Sequence, residues 1–164
     1  MGERLKALRA GPGGLEMEWN ETAQEAEKQL TGEVAATEQA TDQTMPLRLR
    51  EVAKASPRGA VLDAAAEIES ALRTLLARHG LSADELRMGM RQLSSTAAER
   101  ELISLSTHRA IENLSVLRNL AAHGRGRVEY AQAVDFLALA DAVMYSLTAA
   151  RSVGLGRFAE VGPA

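Results

Sequence analysis

The chain has 164 residues, a formal net charge of -3, 46% hydrophobic and only 3% aromatic residues, and no cysteine. That length provides one domain with extensions and a sizeable core, and the scarcity of aromatic and β-branched runs argues for closely packed helices rather than a sheet. The missing cysteines exclude disulfides and thiolate metal sites and permit the cytoplasm, the expected location; no window approaches the roughly 18–20 apolar residues of a membrane span, and no signal peptide is visible.

Charge is unevenly spread. Residues 1–45 hold 4 Lys/Arg against 9 Asp/Glu, whereas residues 46–155 hold 14 against 12, and 13 of those 14 cations are Arg. The first region therefore reads as an acidic arm. Gly11-Pro12-Gly13-Gly14 breaks regular structure, and Leu15-Glu16-Met17-Glu18-Trp19 alternates apolar and acidic residues like a short strand or extended segment. Asn20 then caps a weak helix through about Gln43, with a thin stripe of Ala23, Ala26, Leu30 and Val34 and an interruption at Thr31-Gly32. The expectation is an appended arm, ordered only if a partner covers Trp19 and Leu30.

Pro46 opens the main domain, expected over residues 46–155, with a short helix over 47–55. Ser56 as N-cap and Pro57 at the first helical position start a long helix whose stripe is Val61, Ala65, Ile68, Leu72, Leu75 and Leu76; His79-Gly80 ends it as a C-terminal cap. Ser82 and Glu85 form a capping box for the next helix, with Leu86, Met90 and Leu93 inward and an end expected at Ser94-Ser95-Thr96. A third helix runs from about Ala98 or Ser104 to Ala122 and stops at Gly124. After the turn Gly124-Arg125-Gly126-Arg127, a last helix covers about Tyr130 to Arg151, and residues from Gly154 onward fray, with 156–164 a flexible tail. The fold class is all-α, an antiparallel bundle of four or five helices with an N-terminal arm.

The sharpest functional clue is Arg118-Asn119-Leu120-Ala121-Ala122-His123, at the closing end of the third helix. A permanent cation and a titratable imidazole there could bind a phosphodiester, move its protons and stabilise charge on phosphorus. At about 100° per residue, His108, Glu112, Ser115, Arg118, Asn119 and His123 share one polar sector of roughly 140°. Such a face suggests a groove or a symmetric contact. The same residues admit a plainer account, in which His123 and a left-handed Gly124 merely cap the helix. His108 and Glu112 have the i,i+4 spacing of a metal pair but lack a third ligand, and nothing else in the sequence calls for a cofactor. Arg125 and Arg127 either grip phosphate beside the site or solvate a turn.

With these residues in place, the stretch from Leu47 through Leu147 resembles the HEPN superfamily and, within it, DUF4145-like bacterial proteins. Arg118-Asn119-x-x-x-His123 is similar to that family's Arg-polar-x-x-x-His ribonuclease motif, and Ala55-Ser56-Pro57-Arg58-Gly59-Ala60-Val61 to the lead into its first long helix. The resemblance implies a homodimer in which two motif copies face one another and cleave RNA without metal, in a toxin–antitoxin or antiviral defence setting, with an antitoxin or sensor protein as a further partner. It makes His123 the general acid or base, Arg118 the cation opposite the phosphorane, and Asn119 the group that orients them. Ser115, Arg125 and Arg127 would contact RNA, and His108, Glu112, Ser115 and Asn119 would lie at the two-fold interface. Arg118 and His123 diverge by about 140° on one helix, so two copies converge on a phosphate better than one. Other members keep the fold without activity, which leaves a non-catalytic dimerisation or sensor module as the alternative. Arg4-Leu5-Lys6 and the acidic arm also look like a juxtamembrane segment, so membrane association is expected only where an N-terminal anchor precedes this sequence.

Overall fold

The computed structural model describes residues 12–34, 44–124 and 126–158, and among them every regular element is helical. The helices are α1 (Pro12–Val34), α2 (Thr44–Ala55), α3 (Pro57–Arg78), α4 (Met90–Glu99), α5 (Leu105–His123) and α6 (Tyr130–Phe158), with one 3-10 turn at Glu85–Arg87. They pack around a single core in which Ile68, Leu72, Leu93, Ile111, Leu114, Leu117, Phe136 and Leu137 are fully buried.

The N-terminal region departs from the sequence expectation. Leu15 to Trp19 is helical rather than extended, Asn20 sits inside α1 rather than capping it, and the helix passes through Thr31-Gly32 to Val34. Trp19, Ala26 and Leu30 are buried, and the covering partner is the chain's own bundle: α1 packs most extensively on α5 and also on α6. The physical reason is a 4-3-4 spacing. Trp19, Ala23, Ala26 and Leu30 form one continuous apolar seam that begins before Asn20, and docking such a seam stabilises a helix whose intrinsic propensity is poor. The Trp19 indole N–H has no hydrogen-bond partner among the described residues, and its ring lies 6.4 Å from that of Phe136 in a tilted arrangement. The expected continuation from Val34 to Gln43, including Thr37, lies outside the described residues.

α3 begins as its sequence dictates. The Ser56 side chain accepts from the Gly59 N–H at 3.1 Å, Pro57 occupies the first turn, and the whole stripe from Val61 to Leu76 is buried. A Cβ on Gly59 would stand 2.8 Å from the Ser56 hydroxyl, so a side chain there would displace that hydroxyl from its present position. At the other end Gly80 adopts φ 88°, with Gly80 N–H bonded to the Ala77 carbonyl and Leu81 N–H to that of Leu76. This is a Schellman cap.

The capping box forms as expected but starts no long helix. The Glu85 carboxylate accepts from both the amide and the hydroxyl of Ser82 at 2.8 Å, contacts that hold it below the usual carboxylate range. Only the 3-10 turn follows, fastened to α3 by the Arg73 Nε–H donating to the Leu86 carbonyl at 2.9 Å. α4 starts at Met90 and continues through Ser94-Ser95-Thr96, because the fully buried Ser94 satisfies its hydroxyl on the Arg91 carbonyl at 2.9 Å. It closes in a second Schellman cap, with Glu101 at φ 57°.

α5 takes the later of its two expected starts: Ser104 caps it, accepting from the Thr107 N–H at 3.0 Å. It touches α1, α3, α4 and α6. α6 runs past Arg151 and Gly154 to Phe158, so the expected fraying does not begin at Gly154; residues 159–164 lie outside the described set. Contrary to the sequence expectation, its segment Tyr130–Ala150 is long and apolar enough to cross a membrane by length and composition, with a mean hydropathy of 1.4. Leucine, valine and alanine supply that value, and Asp135 and Asp141 are the only charges across 130–150. Here the segment packs against α1, α2, α3 and α5, and only 33% of that apolar window is buried.

Candidate functional site at the end of helix α5

Two segments distant in sequence meet where α5 ends. From α5 come Arg118, Asn119 and His123, all exposed; from the first turn of α3 comes Arg58, whose guanidinium donates to the carbonyl of Ala122. The Arg118 Nη1–H donates to the Asn119 side-chain oxygen at 3.1 Å, so the two polar neighbours form one unit. The His123 imidazole has no hydrogen-bond partner among the described residues. Gly124 is extended, at φ -65° and ψ 145°, and its N–H bonds to the Leu120 carbonyl. The left-handed Gly124 of the capping account is therefore absent, and the capping of this end falls to Arg58, which sequence inspection had placed only in the lead to a helix.

The outward face of α5 is turned relative to the expected polar sector. Buried positions centre on Ala110, Leu114, Leu117 and Ala121 but include Ile111, so the face most open to solvent carries Leu105, Arg109, Val116, Asn119 and His123. His123 and Asn119 belong to it. Arg118 emerges from the flank and reaches solvent through its length and its place near the helix end.

His108, Glu112 and Ser115 lie on the same side of the helix as Arg118, between it and the open face, half-buried, with His108 and Glu112 engaged by α4. The His108 side chain is 14% exposed, and its Nδ1 lies 3.0 Å from the Ser94 hydroxyl. That hydroxyl also donates to the Arg91 carbonyl at 2.9 Å, and the other ring nitrogen, Nε2, faces Glu112 Oε1 at 3.7 Å. Glu112 also pairs with the Arg91 Nε at 3.3 Å. The order Ser94, His108, Glu112 has the connectivity of a hydrolase triad, but the serine is fully buried. It is a strut between α4 and α5. His108 and Glu112, expected at a two-fold contact, are thus occupied within the chain, and Asn119 is the one of the four expected residues that stands exposed. Of the residues expected to touch RNA, Ser115 is half-buried, Arg127 is exposed just beyond the site, and Arg125 lies outside the described residues.

Sequence inspection missed Arg58, Arg91 and Ser94 as partners of the motif helix. All three reach it across 14 or more residues, and only tertiary packing reveals them. His79, by contrast, behaves as read, its Nδ1–H donating to the Leu75 carbonyl at 2.9 Å. Comparison of the chain with family models, curated proteins and solved structures finds no match.

Proposed function

We propose that this chain is a homodimeric, metal-independent endoribonuclease of HEPN type, acting in the cytoplasm through a composite site of Arg118, Asn119 and His123 from two copies. The observation that carries the reading is the state of His123, an exposed imidazole without a hydrogen-bond partner among the described residues, within two turns of an exposed Arg118–Asn119 pair. A neutral imidazole can take the proton of a ribose 2′-hydroxyl as the 2′-oxygen bonds to phosphorus, and an imidazolium can return one to the departing 5′-oxygen. The products are a 2′,3′-cyclic phosphate and a 5′-hydroxyl. Arg118 offers a planar fork to the two non-bridging oxygens, and Asn119 holds that fork through its side-chain oxygen.

The test is incubation of single-stranded RNA with purified protein in EDTA, with light scattering in parallel. Cleavage by the wild type, a loss of about 10²-fold or more in His123→Ala, and an unchanged dimer mass are the expected results. A monomer at micromolar concentration overturns the composite site, and equal cleavage by His123→Ala overturns the assignment of that residue.

A second reading, a non-catalytic dimerisation or sensor module, draws on the occupation of His108 and Glu112 by Ser94 and Arg91, residues that knit helices rather than face a substrate. Under it no preparation cleaves RNA, and His123→Ala destabilises the fold or dimer by about 1–2 kcal/mol.

A further inference from the structure

Resting on the ribonuclease reading, we propose that Arg58 is a positioning residue for His123, fixing the last turn of α5 so that the imidazole is held in place without being bonded itself. The last four carbonyls of an α-helix have no partner within it and carry its negative end. At α5 the Ala122 carbonyl is one of these, and it directly precedes the nitrogen of His123. The Arg58 guanidinium occupies it from 64 positions away.

Arg58 is suited to this by the rigidity of its own backbone. Pro57 before it has its φ preset, and Ser56 closes the turn onto the Gly59 N–H. Ser56 is tied back as well, its N–H bonding to the Val52 carbonyl of α2 at 2.7 Å. The side chain therefore projects from one of the most constrained turns of the fold. No carboxylate pairs with Arg58 among the described residues, unlike Arg48, Arg73, Arg87 and Arg91, so its contact with α5 has no acidic competitor.

The consequence is a division of labour. If His123 had to cap its own helix, as His79 does, its ring nitrogen would be committed to a carbonyl. With Arg58 on that end, both ring nitrogens remain available, and the turn that carries them does not fray. Acid–base transfer depends on placement within hydrogen-bond reach of the moving proton, so a loosened turn lowers the rate of the chemical step more than it weakens substrate binding.

The experiment compares wild type with Arg58→Met, which keeps length but loses charge and donors, and with Arg58→Lys, which keeps a charged donor. Amide hydrogen exchange by NMR reads the turn directly. In Arg58→Met the amides of His123 and Gly124 exchange about fivefold to tenfold faster, those of Leu114 and Leu117 are unchanged, and Arg58→Lys recovers most of the protection. In the RNA assay kcat falls in Arg58→Met with KM unchanged and is largely restored in Arg58→Lys. Unchanged exchange in Arg58→Met overturns the proposal, as does faster exchange with unaltered kcat. A rise in KM alone also overturns it, since that marks a residue that binds RNA. A wild type inert toward RNA removes the ribonuclease reading and with it the catalytic role of Arg58; the exchange data then decide by themselves whether Arg58 holds the turn.

Discussion

Two helices of this protein end on the same dipeptide, His-Gly, and end differently. At the close of α3, Gly80 is left-handed at φ 88° and His79 spends its Nδ1–H on the Leu75 carbonyl. At the close of α5, Gly124 is extended, the His123 ring is unbonded among the described residues, and Arg58 takes the Ala122 carbonyl instead. The local sequence signal is nearly identical at the two ends. What separates them is a third party, an arginine from another helix: one histidine is bonded to its own helix, while the other is left exposed without a partner among the described residues.

The comparison is broken or sharpened by exchanging the roles. The largest expected effect is on activity: His123→Ala removes RNA cleavage by about 10²-fold or more, while His79→Ala leaves the rate of the folded protein unchanged. Arg118→Lys falls between them, because a point charge cannot replace a bidentate fork. Next in size is the glycine pair, read by urea unfolding. Gly80→Ala costs about 1–2 kcal/mol, and since a Cβ there meets nothing within 4 Å the cost is purely conformational. Gly124→Ala, at a φ any residue adopts, changes stability by no more than about 0.5 kcal/mol. Smallest is the histidine pair in the same measurement: His79→Ala costs about 0.5–1 kcal/mol at the helix end it caps, and His123→Ala stays within about 0.5 kcal/mol. A larger loss in His123→Ala would move this end of α5 into the same class as that of α3 and favour the non-catalytic reading.

These contrasts also mark how far the sequence alone reaches. Ser56-Pro57, the stripe from Val61 to Leu76, and the Ser104 and Gly124 limits of α5 are local signals, and each appears where its pattern places it. The motif residues Arg118, Asn119 and His123 are legible as a cluster for the same reason. α1 was misread because Leu15-Glu16-Met17-Glu18-Trp19 satisfies a two-residue alternation as well as it does the start of a helical seam, and only a surface to dock on decides between them. Ser94 within α4 and the inward turn of His108 are consequences of packing between α4 and α5. The Arg58–Ala122 contact is the extreme case: its acceptor is a backbone carbonyl, which no residue type announces, and its donor sits in a different helix.

Trp19 is the chain's single tryptophan, and it lies 1% exposed in the core beside Phe136, its indole N–H unbonded among the described residues. Excited at wavelengths where tyrosine does not absorb, the protein therefore reports one position on α1. A dry, unbonded indole emits at short wavelength, and release of α1 from the bundle brings it into water and shifts the emission to the red. Because α1 lies chiefly against α5, the protein carries an intrinsic optical reporter of the helix that presents Arg118 and His123. Titration with RNA, denaturant or a partner can be followed through it without attaching a label.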